Sequence, residues 1–413
     1  MNISISNKLP TEHHKEVFNK VVNVAVAVIH YEEQYLLGYR NHEQHQGNRY
    51  EFVGGKIDAE ETAVTALIRE TVEETGIDIS ENIMVKLGRL HHDYGDKYVC
   101  LQVYKVTLNA EQYQYYRALD RGLEGQALTW VDKQALLNNQ YTLPAANQTI
   151  LTWLRLAKSI TITYPLSHFI QDQEQSAEQN QNHETFKQLE LTQVSTRRWL
   201  RFHHQRIAND AWCYLRLKVA VSENETNDEM SIAREGNIAG QLLEHRVDIN
   251  AIIPYKLRHL DTAKNLTDSQ DNRRDLGEHH SKITAYHLTQ MELMTWYQEY
   301  QQDKGLDLLQ RDDYADTGLI VSCHDVSSIV AANELARLRL VHSLAPVIAI
   351  FLSPVLATKT HPNEVPLGWE QWSKLVALAD MPVIALGGLA PNMEALANRY
   401  GGSCIAGIRG FLK

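Results

Sequence analysis

From residue 159 onward, eight short apolar runs recur: SITITYPL, CYLRLKVA, AIIPYKL, KITAYHL, GLIVSCHD, PVIAIFLSP, MPVIALGGL and SCIAGIRGF. No other feature of the chain restricts its fold as much. A short, continuous apolar run marks a strand buried on both faces, and such strands build parallel sheets covered by helices. Helix-compatible stretches fill most of the gaps, as SSIVAANELARLRL does after GLIVSCHD. Eight alternating β and α segments predict a (β/α)8 barrel over residues 159–413, with a doubly wound open sheet as the alternative that periodicity does not separate. Three polar stretches, QDQEQSAEQNQNHE, SENETNDE and NLTDSQDNRRDLGEHH, read as surface insertions or partly disordered loops.

A chain of 413 residues has room for a second core, and residues 18–157 read as a separate α/β unit. VVNVAVAVIH (21–30) predicts a buried strand and QYLLGY a second one. A helix follows from about Ala59 to Thr75, stopped by Gly76. Residues 83–107 read as two strands around the turn YGDK, ALTWVD as another strand, and QTILTWLRLAK as a closing helix. The net charge of −11 advertises no surface for polyanions, so direct nucleic-acid binding is not expected. The first twenty residues do not resemble a signal peptide, and no apolar run reaches the ~20 residues of a membrane span. Cys100, Cys213, Cys323 and Cys404 are isolated, as expected of reduced thiols in a cytoplasmic protein. The paired histidines His91-His92, His203-His204 and His279-His280 are poorly spaced for a shared metal.

The helix ending at Gly76 carries an unusual load of acid. Glu70, Glu73 and Glu74 fall on one face at ~100° per residue, where like charges repel. A hard divalent cation, Mg²⁺ or Mn²⁺, relieves that repulsion and bridges to substrate phosphates. Arg69 is placed to orient the carboxylates, and Gly54 and Gly55 let backbone come close. The implied chemistry is metal-assisted attack of water on phosphorus, with one carboxylate as base. The alternative is a solvated acidic face.

Gly55, Glu61, Arg69, Glu70, Glu73, Glu74, Gly76 and Ile77 fit G-x5-E-x7-R-E-x-x-E-E-x-G-I, which resembles the Nudix box. Thr71 departs from it, standing where the family has a larger aliphatic residue. The entry Glu51-Phe52-Val53-Gly54-Gly55-Lys56 is similar to the EFPGGK of MutT-type 8-oxo-dGTP diphosphatases, with valine for proline. The resemblance implies a Nudix α/β/α sandwich that hydrolyses 8-oxo-dGTP and related nucleoside triphosphates to the monophosphate and pyrophosphate. It assigns metal binding to Glu70, Glu73, Glu74, Glu124 and the Gly54 carbonyl, and catalytic roles to Glu70, Glu73, Glu74, Arg69 and Lys56. Arg40, His45, Glu51, Phe52, Val53 and Gly54 become substrate contacts. Leu143-Pro144-Ala145-Ala146-Asn147 resembles the segment whose asparagine reads the oxidised purine, although Asn147 also suits a helix cap.

Within the barrel region, residues 317–413 and earlier pieces resemble thiamine phosphate synthase and TenI. Leu215-Arg216-Leu217-Lys218, the segment starting at His287, Val321-Ser322-Cys323-His324, and Ser353 to Pro362 carry the likeness. Departures are Tyr214 for glutamine, Glu292 for aspartate, His361 for lysine, and Ile253-Pro254-Tyr255-Lys256 where an Asn-Asp pair belongs. Gly388, Ile408 and Arg409 follow the last two strands, where such barrels present backbone N–H groups to a phosphate; a tight turn is the other use for Gly388. The expectation is a barrel that binds a phosphorylated ligand or is vestigial, beside an active hydrolase. The rivals are an active thiamine-pathway enzyme and a barrel that senses a thiamine-related ligand to regulate the hydrolase.

Overall fold

The computed structural model describes residues 21–43, 47–169, 184–218, 229–258, 282–302, 304, 307–310, 315–358 and 365–413. His45, His361 and nearly all of the three polar stretches lie outside these. The chain divides into two compact units, Met1–Leu151 and Thr152–Lys413.

The first unit is a mixed sheet built around β1 (Val22–Tyr31). β1 turns at Glu32 into β2 (Gln34–Arg40), which pairs with β3 (Arg49–Glu51). β4 (Val53–Lys56) runs antiparallel to β1, with Val26 opposite Gly54 and Ala25 opposite Gly55. Helix α1 (Ala63–Thr75) follows, then the hairpin β5 (Ile83–Asp93) and β6 (Tyr98–Thr107), whose second strand lies parallel to β1. α2 (Ala110–Tyr116), β7 (Ala127–Asp132) on β2, α3 (Lys133–Leu137) and α4 (Asn147–Leu154) complete the unit up to the division inside α4. Ala25, Ala27, Ile29, Leu36, Ala66, Leu67, Ile77 and Val106 share one core, which seats α1 on the sheet. The helix starts four residues later than its sequence suggests. Thr62 caps it by accepting the Thr65 N–H, and Gly76, at φ 74°, ends it with its own N–H on Val72 O.

Thr71, the departure from the box, is fully buried and hydrogen-bonds to Leu67 O at 2.7 Å; Thr75 does the same to Thr71 O at 2.6 Å. Both hydroxyls are thus satisfied inside their own helix.

The second unit is the closed parallel barrel, not the open sheet. Its strands are β8 (Ser159–Ile162), β9 (Trp212–Tyr214), β10 (Asn250–Pro254), β11 (Lys282–Leu288), β12 (Gly318–Cys323), β13 (Val347–Leu352), β14 (Val383–Leu386) and β15 (Cys404–Gly407). β15 pairs with β8, and β8 with β9, which removes both edges. α5 (Glu184–Arg206), α6 (Glu229–His245), α7 (Gln290–Tyr300), α8 (Val326–Val341), α9 (Gly368–Val376) and α10 (Glu394–Arg399) lie between strands. Large residues (Trp212, Tyr214, Phe351) and small ones (Ala285, Ala349, Ala406) fill the interior together. The strand read as CYLRLKVA ends early, at Tyr214. Leu217 O instead accepts the Leu166 N–H, and Arg216 N–H goes to Thr163 Oγ.

Candidate active site

The glycine pair on β4 brings helix α1 against the strand. A Cβ on Gly55 would fall 2.1 Å from the Glu70 carboxyl, and one on Gly54, at φ 150°, 2.1 Å from Ala25 O. Backbone bars a side chain at Gly54, and one at Gly55 would displace the Glu70 carboxyl. The helix therefore presses its acidic face onto bare backbone.

Arg69 organises that face. Its Nε and Nη2 bind both oxygens of Glu61 (3.0 and 2.8 Å), Nη1 binds Glu70 and Glu73 (2.9 Å each), and Nη2 reaches Lys56 O at 3.0 Å. Those contacts use all five guanidinium N–H groups. Arg69 thus joins the loop after β4 to the helix and fixes two of the carboxylates, which is positioning work. Lys56 contributes its carbonyl here, while the residue itself is exposed.

Glu74 faces a different way. Its Oε2 accepts the Gly54 N–H at 3.3 Å, and with Glu51, Glu124, Val53, Gln126 and Asn41 it lines a small acidic pocket. Burial, then the charges of Glu51, Glu124 and Glu70, push its carboxyl up to about 8 against the opposing Gly54 hydrogen bond. Burial also raises Glu51, and the Arg40 guanidinium, hydrogen-bonded to it through Nε, pulls it back. Glu124 reaches the pocket on a loop docked to the end of α1, where Leu123 N–H and Gln126 Nε2 both bind Glu74 O at 2.8 and 3.1 Å.

Oxygen donors dominate the pocket, and carboxylates dominate the oxygens, a donor set that suits a hard divalent cation. A buried acceptor without a hydrogen-bond partner, Gln126 Oε1, adds to it. The residues present fit such an ion. Among the described residues, however, no three Asp, Glu, His or Cys side chains stand close enough to hold it as they are. The three helix acids predicted to converge are shared out, Glu70 and Glu73 to Arg69 and Glu74 to Gly54.

Two expected substrate contacts belong to the interior. Phe52 is 4% exposed and Val53 2%; only Val53 borders the pocket. Asn147 is buried at the first turn of α4, its N–H bound to Pro144 O at 2.9 Å. Sequence reasoning missed Tyr94, which it placed in a plain turn. Its hydroxyl oxygen accepts the Ala146 N–H and lies near Arg40, Arg49 and Glu51, so the β5–β6 hairpin tip sits beside Asn147 and the acidic pocket. An aromatic residue in an otherwise polar turn was the available signal.

At the C-terminal ends of the barrel strands, Tyr214 Oη meets His287 Nδ1 at 2.8 Å, and His287 Nε2 meets Ser322 Oγ at 2.8 Å. Burial drives the imidazole down to about 3, so it is neutral. Glu292 turns away to cap α7, accepting from Thr289 N–H and Oγ–H at 2.7 Å. Gly388 (φ 71°) lies where a Cβ would come within 2.6 Å of Ala357 O, so the turn itself requires glycine. Ile408 packs on the barrel core, and Arg409 is exposed.

Residues 24–153 match the family model described as NUDIX domain, and residues 318–411 the one described as Thiamine monophosphate synthase. An 8-oxo-dGTP diphosphatase of Haemophilus influenzae is 33% identical over 133 residues, 32% of this chain and 90% of that protein. One of Proteus vulgaris is 36% identical over 72 residues, 17% of this chain and 62% of its own length. A CTP pyrophosphohydrolase of Escherichia coli is 28% identical over 138 residues, 32% of this chain and 90% of that protein.

Proposed function

The chain belongs to the Nudix hydrolase family through its N-terminal unit, and on that premise we propose that it hydrolyses 8-oxo-dGTP to the monophosphate and pyrophosphate, clearing an oxidised nucleotide before it enters DNA. The observation that carries this reading is the pocket in which Glu51, Glu74 and Glu124 meet beside the bare backbone of Gly54. Glu70, Glu73, Glu74, Glu124 and the Gly54 carbonyl would hold Mg²⁺ or Mn²⁺. When bound, that ion supplies charge neutralisation for the phosphates and a more acidic water.

The residues of the chain do the rest. Arg69 holds Glu70 and Glu73 through its Nη1, so binding the ion would have to draw their carboxylates round from the guanidinium towards Glu74. Glu74, pushed up to about 8 by burial and its acidic neighbours, carries its proton near neutrality in the metal-free chain, so binding the cation there would release that proton. Arg40, tied to Glu51, faces the incoming phosphates from β2. Asn147 offers both a donor and an acceptor to the purine edge, with Tyr94 beside it. The similarity to a CTP pyrophosphohydrolase favours a second reading, a broader nucleoside triphosphatase. Turnover of 8-oxo-dGTP, dGTP and CTP under Mg²⁺ separates the two. A kcat/KM for 8-oxo-dGTP no greater than for dGTP and CTP overturns the specific reading.

For the barrel, we propose phosphate-ligand binding at Gly388, Ile408 and Arg409 without synthase turnover. What supports this is the end of β10, where Pro254-Tyr255-Lys256 supplies no carboxylate. Lys256 Nζ is already paired at 2.9 Å with Glu235, an acid buried on α6.

A further inference from the structure

Tyr214, His287 and Ser322 form a hydrogen-bonded chain in the barrel, and one placement of its protons satisfies every member. Tyr214 and His287 are buried, with Tyr214 Oη 2.8 Å from His287 Nδ1. Among the described residues the phenol has no other acceptor. Glu235 and Glu292, whose charges reach it, are bound to Lys256 and to the start of α7. An Nδ1–H turned towards Oη would strand the phenol proton, at about 1–3 kcal/mol. Nδ1 is therefore the acceptor. The imidazole has no carboxylate on either nitrogen and is neutral, so its proton sits on Nε2 and is donated to Ser322 Oγ at 2.8 Å. Ser322 cannot give its own proton back to a nitrogen that already carries one.

That proton has no acceptor among the described residues, and Ser322 is half-buried near the end of β12. Ala285 and Ile320 lie in the barrel interior, so His287 and Ser322, two residues on, face inward one layer nearer the C-terminal end. Arg216, just past β9, is also half-buried, and its guanidinium has no ion pair among the described residues. Its charge acts on both Tyr214 and His287. A spare O–H and an unpaired cation thus share one side of the barrel mouth. Resting on the phosphate-ligand reading of the barrel, we infer that Tyr214 is a positioning residue: by holding His287 in its Nε2–H form, it turns the Ser322 hydroxyl out as a donor to an anionic oxygen of the ligand. This contact belongs to β9, β11 and β12, separate from the loops after β14 and β15.

Two measurements on the full chain test this. In a nitrogen-15 histidine spectrum of the wild type, His287 should show a bare Nδ1 and a protonated Nε2. A protonated Nδ1 overturns the inference. Inorganic phosphate titrated into the same sample should then move the His287 signals to saturation. Tyr214→Phe keeps the ring and removes the phenol proton. It should populate both ring tautomers and weaken the phosphate affinity read at His287 about tenfold, as should Ser322→Ala. The double variant should bind within about twofold of Ser322→Ala, because both changes act through one hydroxyl. Unchanged affinity in Tyr214→Phe, or losses that add, overturns the positioning role. Phosphate that binds without moving the His287 signals overturns the inference and leaves the barrel reading standing; a wild type that binds no phosphate overturns both.

Discussion

Glu74 is the residue on which the proposed chemistry and the stability of the site pull in opposite directions. Its folded-state carboxyl titrates at about 8 instead of 4.5, so the folded chain holds that proton more tightly than the unfolded one. The stability this lends is fully present below 4.5 and is lost as pH rises through about 8. Metal-free protein should therefore unfold at falling temperature between pH 5 and pH 8.5, and Glu74→Gln should flatten that slope in a calorimetric scan. The same substitution should cut Mg²⁺-dependent hydrolysis at least a hundredfold, about 2.8 kcal/mol of barrier, with the fold intact by circular dichroism. Near-normal turnover would remove Glu74 from the chemistry. Asn147 is tested by selectivity. Asn147→Ala should reduce 8-oxo-dGTP turnover more than dGTP turnover, because it removes base recognition and leaves the phosphate chemistry alone. Equal losses would assign it to starting α4.

At the scale of elements, α1 and the loop after β4 act as one piece because Arg69 gives three N–H groups to Glu61 and Lys56 O of that loop and the other two to Glu70 and Glu73 of its own helix. Arg69→Lys keeps the charge and offers a single ammonium in place of a planar fork, so the paired contact to Glu61 is lost. It should reduce kcat more than tenfold and destabilise the first unit by about 1–3 kcal/mol, read by urea unfolding; unchanged kcat would reduce the network to surface decoration. The box residues were legible in the sequence because the helical period alone puts the acids on adjacent positions. Which acid each partner takes was not, since Gly54 N–H, Lys56 O and the Glu124 loop come from other elements. Tyr94 escaped for the same reason: nothing local says that a hairpin tip will bend back to Ala146. The short helices α2 and α3 were missed because side chains one residue before them, Asn109 and Asp132, start them by capping, without an apolar period.

For the whole molecule, the eight barrel strands were readable because both faces of each are buried, which leaves continuous apolar runs. Periodicity alone did not separate the expected barrel from an open sheet, since closure depends on Ser159 meeting Ile405, far apart in the chain. The barrel prediction belongs here. Full-length chain carrying Glu74→Gln, supplied with both thiamine precursors and Mg²⁺, should form no thiamine phosphate by chromatography, while calorimetry still detects binding of a phosphorylated thiazole. Measurable product would make the barrel a second active site.

The pairing of β15 with β8 also sets an order of events during synthesis. The first unit has all its strands once residue 132 has left the ribosome. β8 emerges soon afterwards, but its partner on one side is the last strand of the chain. At ~5–20 residues per second, roughly 12–50 seconds separate the two. Until β15 arrives, β8 lacks one of its two partners, and an unpaired strand edge is the kind that recruits foreign strands. The strands of the first unit are thus all present while the neighbouring barrel still lacks the one that closes it.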